Sequence, residues 1–249
     1  MNISGVQSSN TYTALSSGYK INSAADDAAG LAISEKLQSQ TTGHSVGSSN
    51  AKDGISLINV AEGALSGIHD SLQRIRELGV RASNGLFSDS DKQIFQSEID
   101  GLKQSIQDVA KGTTFNTMKL LDGSMADIDL ATNPQGGTLK IQLVNSTLES
   151  LGIADFDVTK DFDLKAIDDA IEKISSARST LGAQSNSLYH TINYNNNASY
   201  NLTAANSRIK DTDYGEALIK KNRDEALQQY RIFGIKAKSE QNAGILKLF

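Results

Sequence analysis

The chain has 249 residues, a net charge of −5, 21% charged and 38% hydrophobic residues, and no cysteine. That length can bury a core without metal or disulfide staples, the acidic balance argues against a general nucleic-acid surface, and the missing thiols exclude disulfides and Cys nucleophiles. A single proline, Pro134, against a usual level of about 5%, points to long helices.

In chain order, residues 1–28 are polar and marginal as a helix, because no apolar stripe offsets their ordering entropy. They lack the basic start and apolar core of a cleavable signal peptide, so export would need another route. Asp26 and Asp27 are placed to cap a helix beginning at Ala28, where carboxylates favour the positive end of the helix dipole. The helical pattern of Leu31, Ile33 and Leu37 thins over 38–50, which carries two glycines, then resumes at Ile55, Ile58, Leu65, Ile68, Leu72, Ile75 and Leu78. Ser83, Asn84 and Gly85 end it, with Gly85 expected as a left-handed cap. The run 88–91 offers N-caps for a helix carrying Phe95, Ile99, Leu102, Ile106 and Val109, closed by Gly112.

The middle switches period. Ile128 and Leu130 alternate with Asp127 and Asp129; Leu139, Ile141 and Leu143 alternate with Lys140 and Gln142, across the turn residues 133–137. This predicts a β-hairpin near 126–144, at the loop end where the chain reverses. Residues 145–162 read as irregular, and Asp161 or Asp163 can cap the next helix.

That helix is the longest pattern. From Leu164 to Ile209, steps of three and four fall on Ile167, Ile171, Ile174, Arg178, Leu181, Ser185, Leu188, Ile192, Asn195, Ser199, Leu202 and Asn206. This is a 3.5-residue repeat over a helix of about 65–70 Å. The polar stations are either solvent positions or register-fixing core residues. A looser stripe follows from Ala217 through Leu227, Tyr230, Phe233, Ala237 and Ile245 to Leu246, Leu248 and Phe249. Apolar residues exposed there need something to pack against.

The expected fold is therefore mainly α: a long coiled-coil-like helical rod with a small β-hairpin, residues 29–212, plus paired terminal helices at 1–28 and 213–249. Of the three histidines, His44, His69 and His190, none has zinc-protease spacing, and surface or helix-flank positions are expected. No window is apolar enough to span a membrane, no cofactor motif occurs, and no constellation supports an enzyme. The sequons at Asn197 and Asn201 fall inside a predicted helix and read as chance matches.

Several long motifs carry a family resemblance. LSSGYKINSAADDAAGLAISEKL (15–37), NAKDGISLINVAEGAL (50–65), LQRIRELGVRASNG (72–85) and FNTMKLLDG (115–123) resemble the N-terminal part of bacterial flagellin. SARSTLGAQSNSLYHTIN (176–193) and NLTAANSRIKDTDYGEAL (201–218) resemble its C-terminal part. The stretch ahead of Leu15 is shorter than that family's. The resemblance implies a minimal flagellin without variable outer domains. Such a protein polymerises with itself into a helical filament for motility and is extracellular. Its partners would be the flagellar export apparatus, an export chaperone, the filament cap and hook-associated junction proteins. Polymerisation would fall on Leu227, Tyr230, Phe233, Ile245, Leu246, Leu248 and Phe249. Arg74, Leu78 and Arg81 form a stripe that alone reads as a solvated helix flank. The resemblance assigns Arg74, an exposed Leu78 and Glu98 on the next helix to binding of the vertebrate Toll-like receptor for flagellin. The alternatives are a hook–filament junction protein and a secreted helical adhesin or immune ligand.

Overall fold

The computed structural model describes residues 3–246, and side chains from 10 to 241. It contains helices α1 (Ile3–Ser17), α2 (Ala28–Ala82), α3 (Asp89–Gly112), α4 (Leu148–Leu151), α5 (Lys165–Lys210) and α6 (Tyr214–Leu246). Two small antiparallel pairs interrupt them: β1 (Thr114–Phe115) with β2 (Met118–Lys119), and β3 (Asp127–Ala131) with β4 (Thr138–Gln142). The chain divides into two compact units, Thr42–Ala198 and the combination of Met1–Thr41 with Ser199–Phe249.

The unit Thr42–Ala198 carries the main core. Along α2, Ala51, Ile55, Ile58, Ala61, Leu65, Ile68, Leu72, Ile75, Leu78 and Ala82 are buried at steps of three and four. They pack with Ile99 and Ile106 of α3 and with Ile167, Ile174, Leu181, Leu188 and Ile192 of α5. Each buried Ile or Leu side chain among them contributes about 1.5–3 kcal/mol by leaving water. α3 starts on a capping box: Ser88 Oγ accepts from Asp91 N while the Asp91 carboxylate accepts from Ser88 N. The segment read as irregular is partly ordered. Thr147 caps α4, Gly152 ends it in the left-handed region, and Leu151, Ile153, Phe156 and Val158 are buried. Gly85 is not left-handed; α2 ends through bonds from Ser83 N to Gly79 O and from Asn84 N to Arg81 O.

The expected hairpin forms, with Ile128 opposite Ile141 and Leu130 opposite Leu139. Its place differs from the sequence expectation. Instead of sitting at the loop end where the chain reverses, it lies along α2 with its tip residue Pro134 against Gly43. A Cβ on Gly43 would come 2.5 Å from Pro134 Cβ, one on Gly47 2.3 Å from Thr132 O, and one on Gly54 2.8 Å from Leu130 Cδ1. The glycines that weaken the helical pattern in sequence are the surface on which the hairpin rests, and α2 runs through them unbroken. The loss of helix propensity, about 1 kcal/mol per glycine, is offset by this close approach.

Asn195 of α5 completes the contact. It is 1% exposed, its Nδ2 donates to Thr132 O at 2.8 Å, and its Oδ1 lies 2.8 Å from His44 Nδ1. A backbone carbonyl only accepts, so the amide orientation is fixed and the His44 Nδ1–H must be the donor. Asn50 Nδ2 adds a bond to Ala131 O. His44 is therefore a buried core histidine, contrary to the surface position its spacing suggested, whereas His190 is exposed. Of the polar stations on α5, Asn195 takes the register-fixing role, while Arg178 stays half-buried, 3.8 Å from Glu62.

Gly47→Ala should destabilise the purified monomer by about 1–3 kcal/mol, because its methyl group meets backbone. Gly63→Ala, which meets nothing within 4 Å, should be neutral or stabilising by up to about 1 kcal/mol. Urea unfolding followed by circular dichroism measures both; equal effects would contradict the packing described.

Candidate functional site

The unit formed by the two ends of the chain is built differently. Asp27 Oδ1 accepts from Gly30 N at 2.8 Å and caps α2, as its position before Ala28 suggests. Asp26 closes the preceding loop instead, accepting from Asn22 N and Ser23 N, and these backbone bonds hold its carboxyl below the ordinary range. Gly18, at φ +78°, ends α1. The chain beyond it clasps the end of α5: Lys20 N donates to Lys210 O at 2.8 Å and Thr212 N to Gly18 O at 2.9 Å. Lys210 Nζ lies 4.7 Å from the Tyr19 ring centroid. Ser34 Oγ and Gln38 Oε1 engage Asn206 across α2 and α5.

α1 then packs on α6. Among the described residues, Tyr214 OH donates to Leu15 O at 3.0 Å, and Tyr12 OH donates to Glu225 Oε1. That bond raises the Tyr12 hydroxyl and lowers the Glu225 carboxyl relative to their ordinary values. Lys221 sits 3.6 Å from Glu225 and 5.4 Å from the Tyr12 ring. The polar residues 1–28, marginal as an isolated helix, thus contain α1 where α6 supplies a partner.

α6 has 33 residues against 15 in α1, and much of its described surface is open. Of the residues expected to carry polymerisation, Leu227 is half exposed, Tyr230 is 77% exposed and Phe233 73%. The side chains of Ile245 and Leu246, and the whole of Leu248 and Phe249, lie outside the described residues. Ile219, Ile232 and Ile235 are also exposed and were missed because they fall off the single stripe sought. The signal that finds them is apolar residues on more than one face, the pattern of a helix buried all round.

At the other candidate site, Arg74 Nε donates to Glu98 Oε1 at 2.7 Å and Nη1 to Glu77 Oε2 at 3.0 Å. The guanidinium is raised above its ordinary value, first by Glu98 and then by Glu77. Arg74 and Glu98 are thus brought together on the surface across α2 and α3. Leu78 is not exposed. It is 1% accessible, because it lies three residues beyond Ile75 on the α2 stripe that faces the core. Ile94, 65% exposed, is the apolar side chain on this part of α3. Among the described residues no His/Asp/Glu group is arranged to hold a metal, and no helix is long and apolar enough to cross a membrane.

Comparison with known proteins gives concordant matches. Residues 1–126 match the family of the bacterial flagellin N-terminal helical region, and residues 164–243 that of the bacterial flagellin C-terminal helical region. A flagellin of Halalkalibacterium halodurans is 39% identical over 241 residues, covering 94% of this chain and 89% of that protein. A flagellin of Bacillus subtilis is 38% identical over 274 residues, covering 94% and 90%. The crystal structure of Bacillus cereus flagellin aligns with a TM-score of 0.53 at 29% identity, over 59% of this chain and 88% of that one.

Proposed function

The chain belongs to the bacterial flagellin family, and from that membership we propose that its terminal helices are the assembling part of a flagellar filament subunit. The subunit polymerises with its own kind into the extracellular filament, and its role is structural. One observation carries the assignment of the assembling part: α6 leaves Tyr230, Phe233 and Ile235 open to solvent. Burying an exposed Tyr or Phe at a subunit contact is worth about 1.5–3 kcal/mol each, enough for a few of them to drive association. The hydrogen bonds described between α1 and α6 are polar surface contacts that add little by themselves, so the pair suits rearrangement on docking. The division of the chain into a terminal part, 1–28 with 213–249, and a body, 29–212, belongs to this proposal. So do export through the flagellar apparatus with a chaperone, growth under the filament cap and attachment to hook-associated junction proteins.

The same proposal gives the Arg74 face a second role, as the site for the vertebrate Toll-like receptor that senses flagellin. Arg74 and Glu98 present a charged pair beside the exposed Ile94, a combination suited to an interface anchor. Leu78 would support that face from beneath, by packing.

Removing residues 230–249 should abolish seeded elongation as seen by negative-stain microscopy, while the unit Thr42–Ala198 keeps its helical signal. Normal filaments from the shortened chain would refute the assembly assignment. For the receptor, Arg74→Ala and Glu98→Ala should weaken binding to the isolated receptor ectodomain at a stability cost below about 1 kcal/mol, the usual range for exposed ion pairs. Leu78→Ala should cost about 2–5 kcal/mol of stability as a core truncation. Unchanged receptor affinity in both charge variants would remove that site.

A further inference from the structure

We propose that Asn84 is a site of spontaneous deamidation, singled out by the fold from the other labile asparagines of the chain. Asparagine followed by a small residue is the chemically fragile arrangement, because the following amide nitrogen can reach the side-chain carbonyl carbon. The most labile pairs are Asn-Gly and Asn-Ser, and the sequence offers five of them: Asn84-Gly85, and Asn-Ser at Asn22, Asn145, Asn186 and Asn206. The structure withdraws the attacking nitrogen in four of them. Ser23 N donates to Asp26 Oδ2 at 2.9 Å, and Ser146 N donates to Leu121 O at 2.8 Å in a fully buried residue. Ser187 and Ser207 lie inside α5, where the amides belong to the helical ladder.

Asn84-Gly85 has the opposite surroundings. Both residues are exposed in the turn after α2. Among the described residues the Gly85 N–H has no acceptor, while Asn84 Oδ1 accepts from Leu86 N at 3.1 Å. That bond draws electron density from the carboxamide and favours attack at Cγ. Gly85 has no side chain to obstruct the approach, and nothing lies within 4 Å of where its Cβ would be.

The reaction needs only water and hydroxide. Deprotonated Gly85 N attacks Asn84 Cγ; the N–Cγ bond forms, the Cγ–Nδ2 bond breaks, and ammonia leaves, giving a five-membered succinimide. Water then opens either carbonyl, yielding aspartate or isoaspartate at position 84. The product places a negative charge beyond the carbonyl-rich end of α2 and close in sequence to Asp89 and Asp91, both unfavourable neighbours for a carboxylate. The isoaspartate form also lengthens the backbone of the α2–α3 turn by one methylene. The turn would accumulate charge irreversibly with the age of the chain.

The folded protein, held for days in mildly alkaline buffer and then digested with trypsin, should show the amide-to-acid mass change in the peptide spanning residues 82–92, resolved chromatographically into aspartate and isoaspartate forms. The peptides carrying Asn22, Asn145, Asn186 and Asn206 should stay unchanged. In urea the Asn-Ser peptides should begin to react as well, which shows that folding protects them. Gly85→Ala, which the open space and ordinary backbone angles tolerate, should slow the loss at Asn84 severalfold. An intact Asn84 in the folded protein, or equal loss at all five asparagines, would overturn the proposal.

Discussion

Asn195 lies where three distant segments meet: its side chain donates to the Thr132 carbonyl at the hairpin tip and accepts from His44 on α2. The bare glycine face of α2 brings the hairpin close enough for that bond, and the bond leaves no polar atom of the Asn195 amide unpaired. Each part requires the other. A side chain at Gly47 would push Thr132 away, and without Asn195 the Thr132 carbonyl and His44 would lose buried partners at about 1–3 kcal/mol each. A one-residue slip of α5 against α2 would break the same bonds, while the neighbouring Leu and Ile layers tolerate many alternative packings. Specificity in the Thr42–Ala198 unit thus rests on one buried amide, and its stability on the aliphatic stripe.

The terminal unit follows another logic. Its described contacts are mostly capping bonds, a backbone clasp between 18–20 and 208–212, and exposed charge or hydroxyl pairs, with Ile21 and Ser34 among its few buried side chains. The large apolar residues of α6 are left open. Surface polar contacts of this kind are weak individually, so the cohesion of this unit is low compared with that of the Thr42–Ala198 core. That contrast suits a subunit in which one part folds by itself and the other is completed by neighbours.

Much of this was legible in sequence where the signal is local. The N-cap within the 88–91 run, the Ala28 helix start, the hairpin and the α5 repeat all follow from residues close together in the chain. What was hidden depended on partners far away. Gly43 and Gly47 read as a weakened helix because nothing local announces the hairpin that covers them. His44 looked like a flank residue because its acceptor is 151 positions away. Leu78 looked exposed when grouped with Arg74 and Arg81, yet the 3.5-residue count from Ile75 already placed it inward. The polar stations of α5 could not be ranked until Asn195 was found buried and Arg178 only half so.

The direct test is a double-mutant cycle on His44→Ala and Asn195→Ala, followed by urea unfolding of the monomer. Two residues sharing one buried hydrogen bond should show a coupling of about 1–3 kcal/mol, the double variant losing less than the two single losses combined. Additivity within about 0.3–0.5 kcal/mol, the behaviour of independent sites, would contradict the claim that this network fixes the register of α2, α5 and the hairpin.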